Sequence, residues 1–388
     1  MIAPRYDAII VGLGPAGSSA AYEIARAGRR VLGLDGHVFP RYKTCGGGLS
    51  ARVDGLLGPA HRNVVEQTIS AITFVYCGKE SFTVEGRDPV ASFVMRDRFD
   101  AALADRAAQA GAHLRYGEPV LHFEEISDGV RVRTAAGAYD GSFLVGADGA
   151  RSRIARRLNP RHPLRGVYAL EAEIATSDPA DGVVLEMGAV PGGYGWVFPK
   201  RGRLSVGVGG FQGAEPRPKA RYERFVSLQP ALRRCARSTP LGHPIPVYTK
   251  GVCVASSRIG LVGDAAHLAD PFFGEGIYYG IVSGRRLGQT ILQQLDQGSA
   301  DLLPYARWVK TELAPEFEAA ERLASYAYTY PRLWYEGMRA HPDVIRWFYD
   351  VLRGKISFQD LWTRLIRNAL RLAPAALAGR AAALFSSR

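Results

Sequence analysis

The chain has 388 residues, enough for two or three domains, and its 47% apolar and 22% charged residues are those of a folded protein, not a disordered one. Four widely spaced cysteines without a C-x-x-C pair, eight histidines without ligand spacing and no apolar run of about 18 residues argue against a disulfide framework, a metal site and a membrane span. The net charge of +12 is uneven: residues 351–388 hold seven basic residues against one acid, a net +6.

In chain order, Tyr6–Val11 is a short apolar run of the kind buried on both faces of a parallel sheet. It lacks the basic-then-apolar layout of a secretory signal, so a cytoplasmic protein is expected. The run meets Gly12-x-Gly14-x-x-Gly17, with Pro15 at the first helical position, and a helix is expected over Ser18–Ala27, stopping at Gly28. A second apolar strand, Val31–Leu34, ends at Asp35, 21 residues beyond Gly14. Glycines so spaced supply a tight turn, close approach of backbone to a pyrophosphate and tight helix–strand packing. The helix N-terminus offers N–H donors to phosphate, and the acid accepts from ribose hydroxyls. A ligand-free glycine turn is the alternative, and the flanking strand, helix and acid argue against it.

Pro40-Arg-Tyr-Lys43-Thr-Cys45-Gly46-Gly47-Gly48 follows directly. Three consecutive glycines let backbone lie flat against an aromatic ring. Alternating apolar and polar residues between 51 and 92 and between 166 and 252 predict antiparallel strands, including Ile72–Tyr76, Val183–Glu186 and Leu204–Val208. Two further strands end in glycine and aspartate: Phe143–Val145 runs into Gly146-Ala-Asp148-Gly149, and Ile259–Val262 into Gly263-Asp264. Strand ends of this kind bring backbone and carboxylates to one sheet edge, where ligands bind in open α/β sheets. Asp270-Pro-Phe-Phe-Gly274-Glu-Gly276 then opens a helix whose Gly276, Gly280, Gly284 and Gly288 share one face, bare enough for another backbone or a flat ring. From residue 300 the pattern is helical and aromatic, and core packing is its commoner meaning. Over 361–373, counted from Leu361 at the start of a helical wheel, Trp362, Leu365, Ile366, Ala369, Leu370, Leu372 and Ala373 fall on one half of it, with Thr363, Arg364, Arg367, Asn368 and Arg371 on the other.

Together these motifs resemble the flavoproteins of the p-hydroxybenzoate hydroxylase fold. The resemblance implies FAD, with Asp264 on the ribityl chain, Gly146 and Asp148 near the pyrophosphate, and Arg96 (in Arg96-Asp-Arg-Phe99-Asp100) as a further contact. The helix start at Gly274–Gly276 would then stabilise negative charge on the reduced ring's N1–C2=O edge. Within that superfamily the chain is similar to the geranylgeranyl reductases over residues 5–290. It carries their P-R-x-K-x-C-G-G-G signature (Lys43, Cys45, Gly46, Gly47) and their W-x-F-P-x7-G-x-G signature (Trp196, Phe198, Gly207, Gly209).

The resemblance implies an α/β architecture: a Rossmann-like FAD-binding domain of residues 1–60, 93–165 and 252–299, an inserted antiparallel β-sheet substrate domain of 61–92 and 166–251, and a helical region of 300–388. It implies reduction of isolated C=C bonds in a long isoprenoid chain on a lipid, quinone or chlorophyll-like carrier, with hydride from reduced flavin N5. Trp196 and Phe198 would line an apolar tunnel, and Cys45 would position the alkene, relay its proton or merely pack. The electron donor is NAD(P)H or a small acidic, ferredoxin-like protein. The basic helix 361–373 would rest on an anionic membrane at its inner face, or pack on the protein with its charges in water. No nucleic-acid motif accompanies the charge, and no metal is expected. A monooxygenase or halogenase of the same fold, and a non-catalytic prenyl-binding escort protein, are the alternatives.

Overall fold

The computed structural model describes residues 5–161, 166–177, 182–210, 218–233, 235 and 238–368. The first sheet is built on five parallel strands. Tyr6–Val11 lies between Val31–Asp35 and Gly137–Gly146, with Val11 opposite both Leu34 and Gly146. His113–Tyr116 extends one side, and Ile259–Leu261 pairs with the last residues of Gly137–Gly146. The antiparallel strands Gly129–Thr134 and His122–Ile126 complete it. Because the parallel strands end level, Gly12, Asp35, Asp148 and Gly263 all emerge at one edge.

Helix Pro15–Ala25 begins at Pro15, whose missing N–H falls where no intrahelical bond is needed, and ends two residues before the expected Ala27. Helix Ile277–Asp296 packs against it through the glycine face. A Cβ at Gly284 would lie 2.1 Å from the Ala16 carbonyl oxygen and one at Gly288 2.9 Å from Glu23 Cβ. That face is therefore taken by the neighbouring helix.

A second seven-stranded sheet runs Leu241–Ile245, Val167–Ala175, Arg203–Gly210, Gly193–Lys200, Val183–Met187, Ala71–Tyr76, Glu80–Glu85. The expected strands are present, with one correction: Val183–Met187 and Ala71–Tyr76 pair in parallel, not antiparallel. Both enter the sheet from the same side, which no local alternation pattern encodes. One face of this sheet packs on helix Pro218–Leu228 through Val197, Val206 and Phe225. Helices Ala314–Thr329, Pro331–Ala340 and Pro342–Leu352 share a hydrophobic cluster with the other face. Pro331 and Pro342 each end one helix and start the next, which folds the three into a tight stack. A small sheet of Gly48–Ser50, Ala91–Val94 and Val65–Ile69 lies beside them.

The basic helix is described as Phe358–Arg367, opened by a Ser357–Asp360 capping box; 369–373 lie outside the described residues. Leu361 is fully buried, and Trp362 and Leu365 pack against the same cluster, so much of the apolar side expected to face lipid is covered by the protein. Ile366 stays exposed beside Arg364 and Arg367. No helix among the described residues is long and apolar enough to cross a membrane.

Candidate functional site

The carboxyl-end loops of the parallel strands open into one cavity of about 1240 Å³, which runs on between the second sheet and the C-terminal helices. Its first half is walled by backbone. Gly12 has φ +95°, and a Cβ there would sit 2.3 Å from the Ala147 carbonyl oxygen; one at Gly17 would sit 1.8 Å from that of Gly12. Gly14 faces open space, with only the Arg41 guanidinium within 4 Å of where a Cβ would be. Asp35 is buried and accepts from Leu13 N (2.8 Å) and His37 N (2.9 Å), which fixes its carboxylate beside the glycine turn.

Asp148 accepts from Arg153 N through Oδ2, while its buried Oδ1 has no hydrogen-bond partner. Burial raises its pKa. Gly263 (φ +57°) donates its N–H to Ser283 of the glycine helix. Asp264 lies 3.9 Å from Lys43 Nζ, and Gly276 is so close that a Cβ would meet Asp264 Oδ1 at 3.0 Å. Gly274, with φ +73°, is on the same wall. Burial, then the charge of Arg96, lowers the Lys43 pKa against the pull of Asp264. Gly146 packs on Leu261 and Ile154 and supports the cradle from behind.

Arg96 is buried at the start of helix Arg96–Gln109 and grips Asp100 with two bonds of 2.8 and 2.9 Å. Burial lowers its pKa, but Asp100 and Cys45 more than offset this and hold it above its ordinary value. The Cys45 thiol also accepts from Gly47 N at 3.4 Å. These residues fit FAD. The wall lacks side chains where a pyrophosphate must approach, a helix N-terminus faces it, and Asp148 keeps an unpaired acceptor for a hydroxyl of the cofactor.

Where the halves meet, the strand Gly193–Lys200 turns Tyr194, Trp196 and Phe198 to the cavity as a ladder of rings, each centroid 5.9 Å from the next. Trp196 is paired in register with Gly207, and a Cβ on Gly207 would sit 2.1 Å from its Cζ2. This is why a tryptophan and a distant G-x-G belong to one signature: the glycines are the seat of the indole. A Cβ at Gly46 would lie 2.9 Å from the Phe198 ring, so the glycine loop rests directly on it. Gly47, at φ +71°, turns that loop against the Val94 carbonyl. Cys45, Trp196 and Phe198 thus meet at one place.

The second half of the cavity was not legible as a site. Phe272 and Phe273, Tyr328, Trp334, Met338 and Phe348 wall it together with Ile72, Phe74 and Leu185. Asp270 clamps the joining loop by accepting from Phe272 N, Phe273 N and Glu275 N at 2.7–2.9 Å. Tyr194 donates to the Phe273 carbonyl (2.7 Å) and Tyr328 to that of Phe272, while Tyr349 donates to that of Val84 (2.6 Å). These phenols are spent on backbone, and the wall they share is apolar. The position of Tyr194, two residues before Trp196 on a strand, was the one available signal. His243 and Glu171 also line the cavity unforeseen. Burial, then Lys43, holds the imidazole below its usual pKa, and its Nε2 has no hydrogen-bond partner.

A family model described as an FAD binding domain matches residues 5–172. The menaquinone reductase of Mycolicibacterium smegmatis is 32% identical over 356 residues, covering 82% of this chain and 84% of that protein. Digeranylgeranylglycerophospholipid reductase 1 of Methanopyrus kandleri is 29% identical over 92% of this chain and 99% of its own. A geranylgeranyl bacteriochlorophyll reductase-like protein of Thermoplasma acidophilum superposes with a TM-score of 0.73 at 25% identity, covering 84% and 87% of the two chains. A flavin-dependent brominase superposes with a TM-score of 0.73 at 18% identity over 95% of this chain and 100% of its own, which shows the fold alone. The Trp196–Gly207 seat, the Cys45 loop and these likenesses converge: the chain belongs to the geranylgeranyl reductase family, FAD-dependent oxidoreductases on the p-hydroxybenzoate hydroxylase-type fold.

Proposed function

We propose that this protein saturates isolated C=C bonds of an isoprenoid chain carried by a lipid or quinone. The observation that carries this reading is the continuity of the cavity from the glycine cradle into the aromatic half. Reduced FAD, when bound, supplies the hydride from its N5. The protein's own part is placement. The Gly46–Gly47 loop and Phe198 set the level at which a substrate can lie against the ring system, and Trp196 borders it from the second sheet. Cys45, which accepts from Gly47 N and lies within the influence of Arg96, positions the double bond. The aromatic half excludes water and takes up the rest of the chain, where burial is worth about 0.8 kcal/mol per CH₂. An alkene without a carbonyl needs no oxyanion stabilisation, so positioning is the main contribution to rate.

Electrons reach the cofactor from NAD(P)H or a ferredoxin-like protein. The face of Arg364, Ile366 and Arg367 gives a way to rest on an anionic membrane that holds the substrate. The test is anaerobic mixing of dithionite-reduced holoenzyme with a geranylgeranyl lipid or its saturated counterpart. Return of oxidised-flavin absorbance with the unsaturated lipid alone is expected. No return with any prenyl lipid, and rapid oxygen consumption with an aromatic compound and halide, would favour the oxygenase or halogenase reading instead.

A further inference from the structure

We propose that Glu171 is the proton donor for the reduction, delivering to the alkene carbon that does not receive the hydride. The inference rests on the prenyl reductase reading and adds the half of the chemistry that FAD does not supply. Saturating C=C needs one hydride and one proton, and an apolar cavity offers few acids.

Glu171 sits on the cavity-facing side of strand Val167–Ala175, in register with Gly207, the residue over which the Trp196 indole lies. It is 1% exposed, it lines the cavity, and its Oε1 has no hydrogen-bond partner. Ser205, whose Oγ accepts from Trp196 Nε1 at 3.4 Å, is close enough to the Glu171 carboxyl to lower its pKa. Acid and indole thus lie beside one residue.

The charged and titratable groups around it come from several neighbouring elements, His243 of the adjoining strand Leu241–Ile245 among them. Glu173 is on its own strand, Lys200 on Gly193–Lys200, Arg96 at the start of Arg96–Gln109, Tyr42 on the glycine loop and Tyr222 on Pro218–Leu228. Lys200 is committed to Glu173. Burial, the largest influence, and the charge of Glu173 outweigh Lys200 and Arg96 and push the Glu171 carboxyl up to about 7. About half of it is therefore protonated at neutral pH, and the proton remains easy to release.

Transfer breaks the Glu171 O–H bond and forms one C–H bond; the hydride supplied by reduced FAD forms the other. The alkene gains two hydrogens, and the glutamate is left as a carboxylate beside Arg96 and Lys200. A proton from water restores it; Tyr42, which lines the cavity and is 49% exposed, feels the charge of both Glu171 and Glu173.

The experiment is single-turnover oxidation of dithionite-reduced holoenzyme by a geranylgeranyl lipid between about pH 5 and 9. The wild-type rate is expected to fall as pH rises through about 7. Glu171→Gln is expected to lose about 100-fold and to become pH-independent, and Glu171→Asp to recover both rate and pH dependence. Infrared difference spectra of the oxidised holoproteins supply a readout without substrate: wild type minus Glu171→Gln shows a protonated-carboxyl band at about pH 6, the Glu186 band cancelling because both proteins carry it. A Gln variant with wild-type rate and pH slope, or a wild-type rate independent of pH, overturns the proposal. If no prenyl lipid oxidises the wild-type enzyme, the function reading fails; the infrared band then still decides whether Glu171 holds a proton.

Discussion

At the glycine end of the cavity the wall is main chain, and at the other end it is the faces of rings. Gly12, Gly17 and Gly47 act by what they lack, and a single added methyl group there meets a carbonyl oxygen that cannot move. Phe272, Tyr328 and Phe348 act by what they fill, stacked with centroids 5.2–6.1 Å apart, and such a surface can repack. The first end must hold one fixed polar cofactor, whereas the second must admit a flexible chain that offers nothing to hydrogen-bond. The contrast predicts unequal tolerance to substitution, with effects on different observables.

The largest effect is expected at the first end. Gly12→Ala combines a positive φ with a contact of 2.3 Å to the Ala147 oxygen and should weaken FAD binding about 100-fold or more, read as flavin absorbance per protein. At the junction, Gly207→Ala drives a methyl group into the Trp196 ring. The expected result is full FAD content with single-turnover lipid reduction slowed about 10- to 100-fold, because misplacement of about 1 Å is enough for that loss. Equal damage to FAD content would erase the distinction between the two ends.

Phe348→Ala belongs to the second end alone. It should leave FAD content unchanged, lower stability by about 3–5 kcal/mol in thermal unfolding and weaken lipid binding about 10-fold. The smallest effect comes from outside the cavity. Glu186 is fully buried; it accepts from Gly78 N at 3.1 Å, and burial pushes its pKa up to about 7. The folded state then holds a proton that the unfolded chain releases above about 4.5, so this carboxyl's contribution to stability is complete below that pH and lost by about 7. Glu186→Gln should gain about 2–4 °C in Tm relative to wild type as pH rises through that window, with no change in turnover. A pH-independent difference would refute the account of this residue.

The same contrast explains what the amino-acid sequence revealed. Gly12, Gly14, Gly17 and Asp35 are separated by one strand and one helix, so local spacing carried their geometry. Asp148 and Asp264 were found because each follows its own apolar strand. The aromatic half draws on segments from residue 69 to residue 352, and an apolar stripe facing a cavity reads like one facing a core. Phe272 and Phe348 were accordingly invisible as site residues. Glu171 was hidden for the opposite reason. In Val167–Ala175 it alternates with Glu173 and apolar residues, the pattern of a strand with one face in water. The sheet turns that face toward the cavity, which only tertiary packing decides. The tail helix shows the limit of an amphipathic wheel: Leu361, counted toward a membrane face, is fully buried in the protein.

The most direct test of the central claim is the mass of the lipid itself. Dithionite-reduced holoenzyme, incubated without oxygen with a geranylgeranyl lipid, should yield product heavier by two hydrogens per bond reduced, with one flavin reoxidised for each. Flavin reoxidation with no gain in lipid mass, or no reoxidation at all, would contradict it.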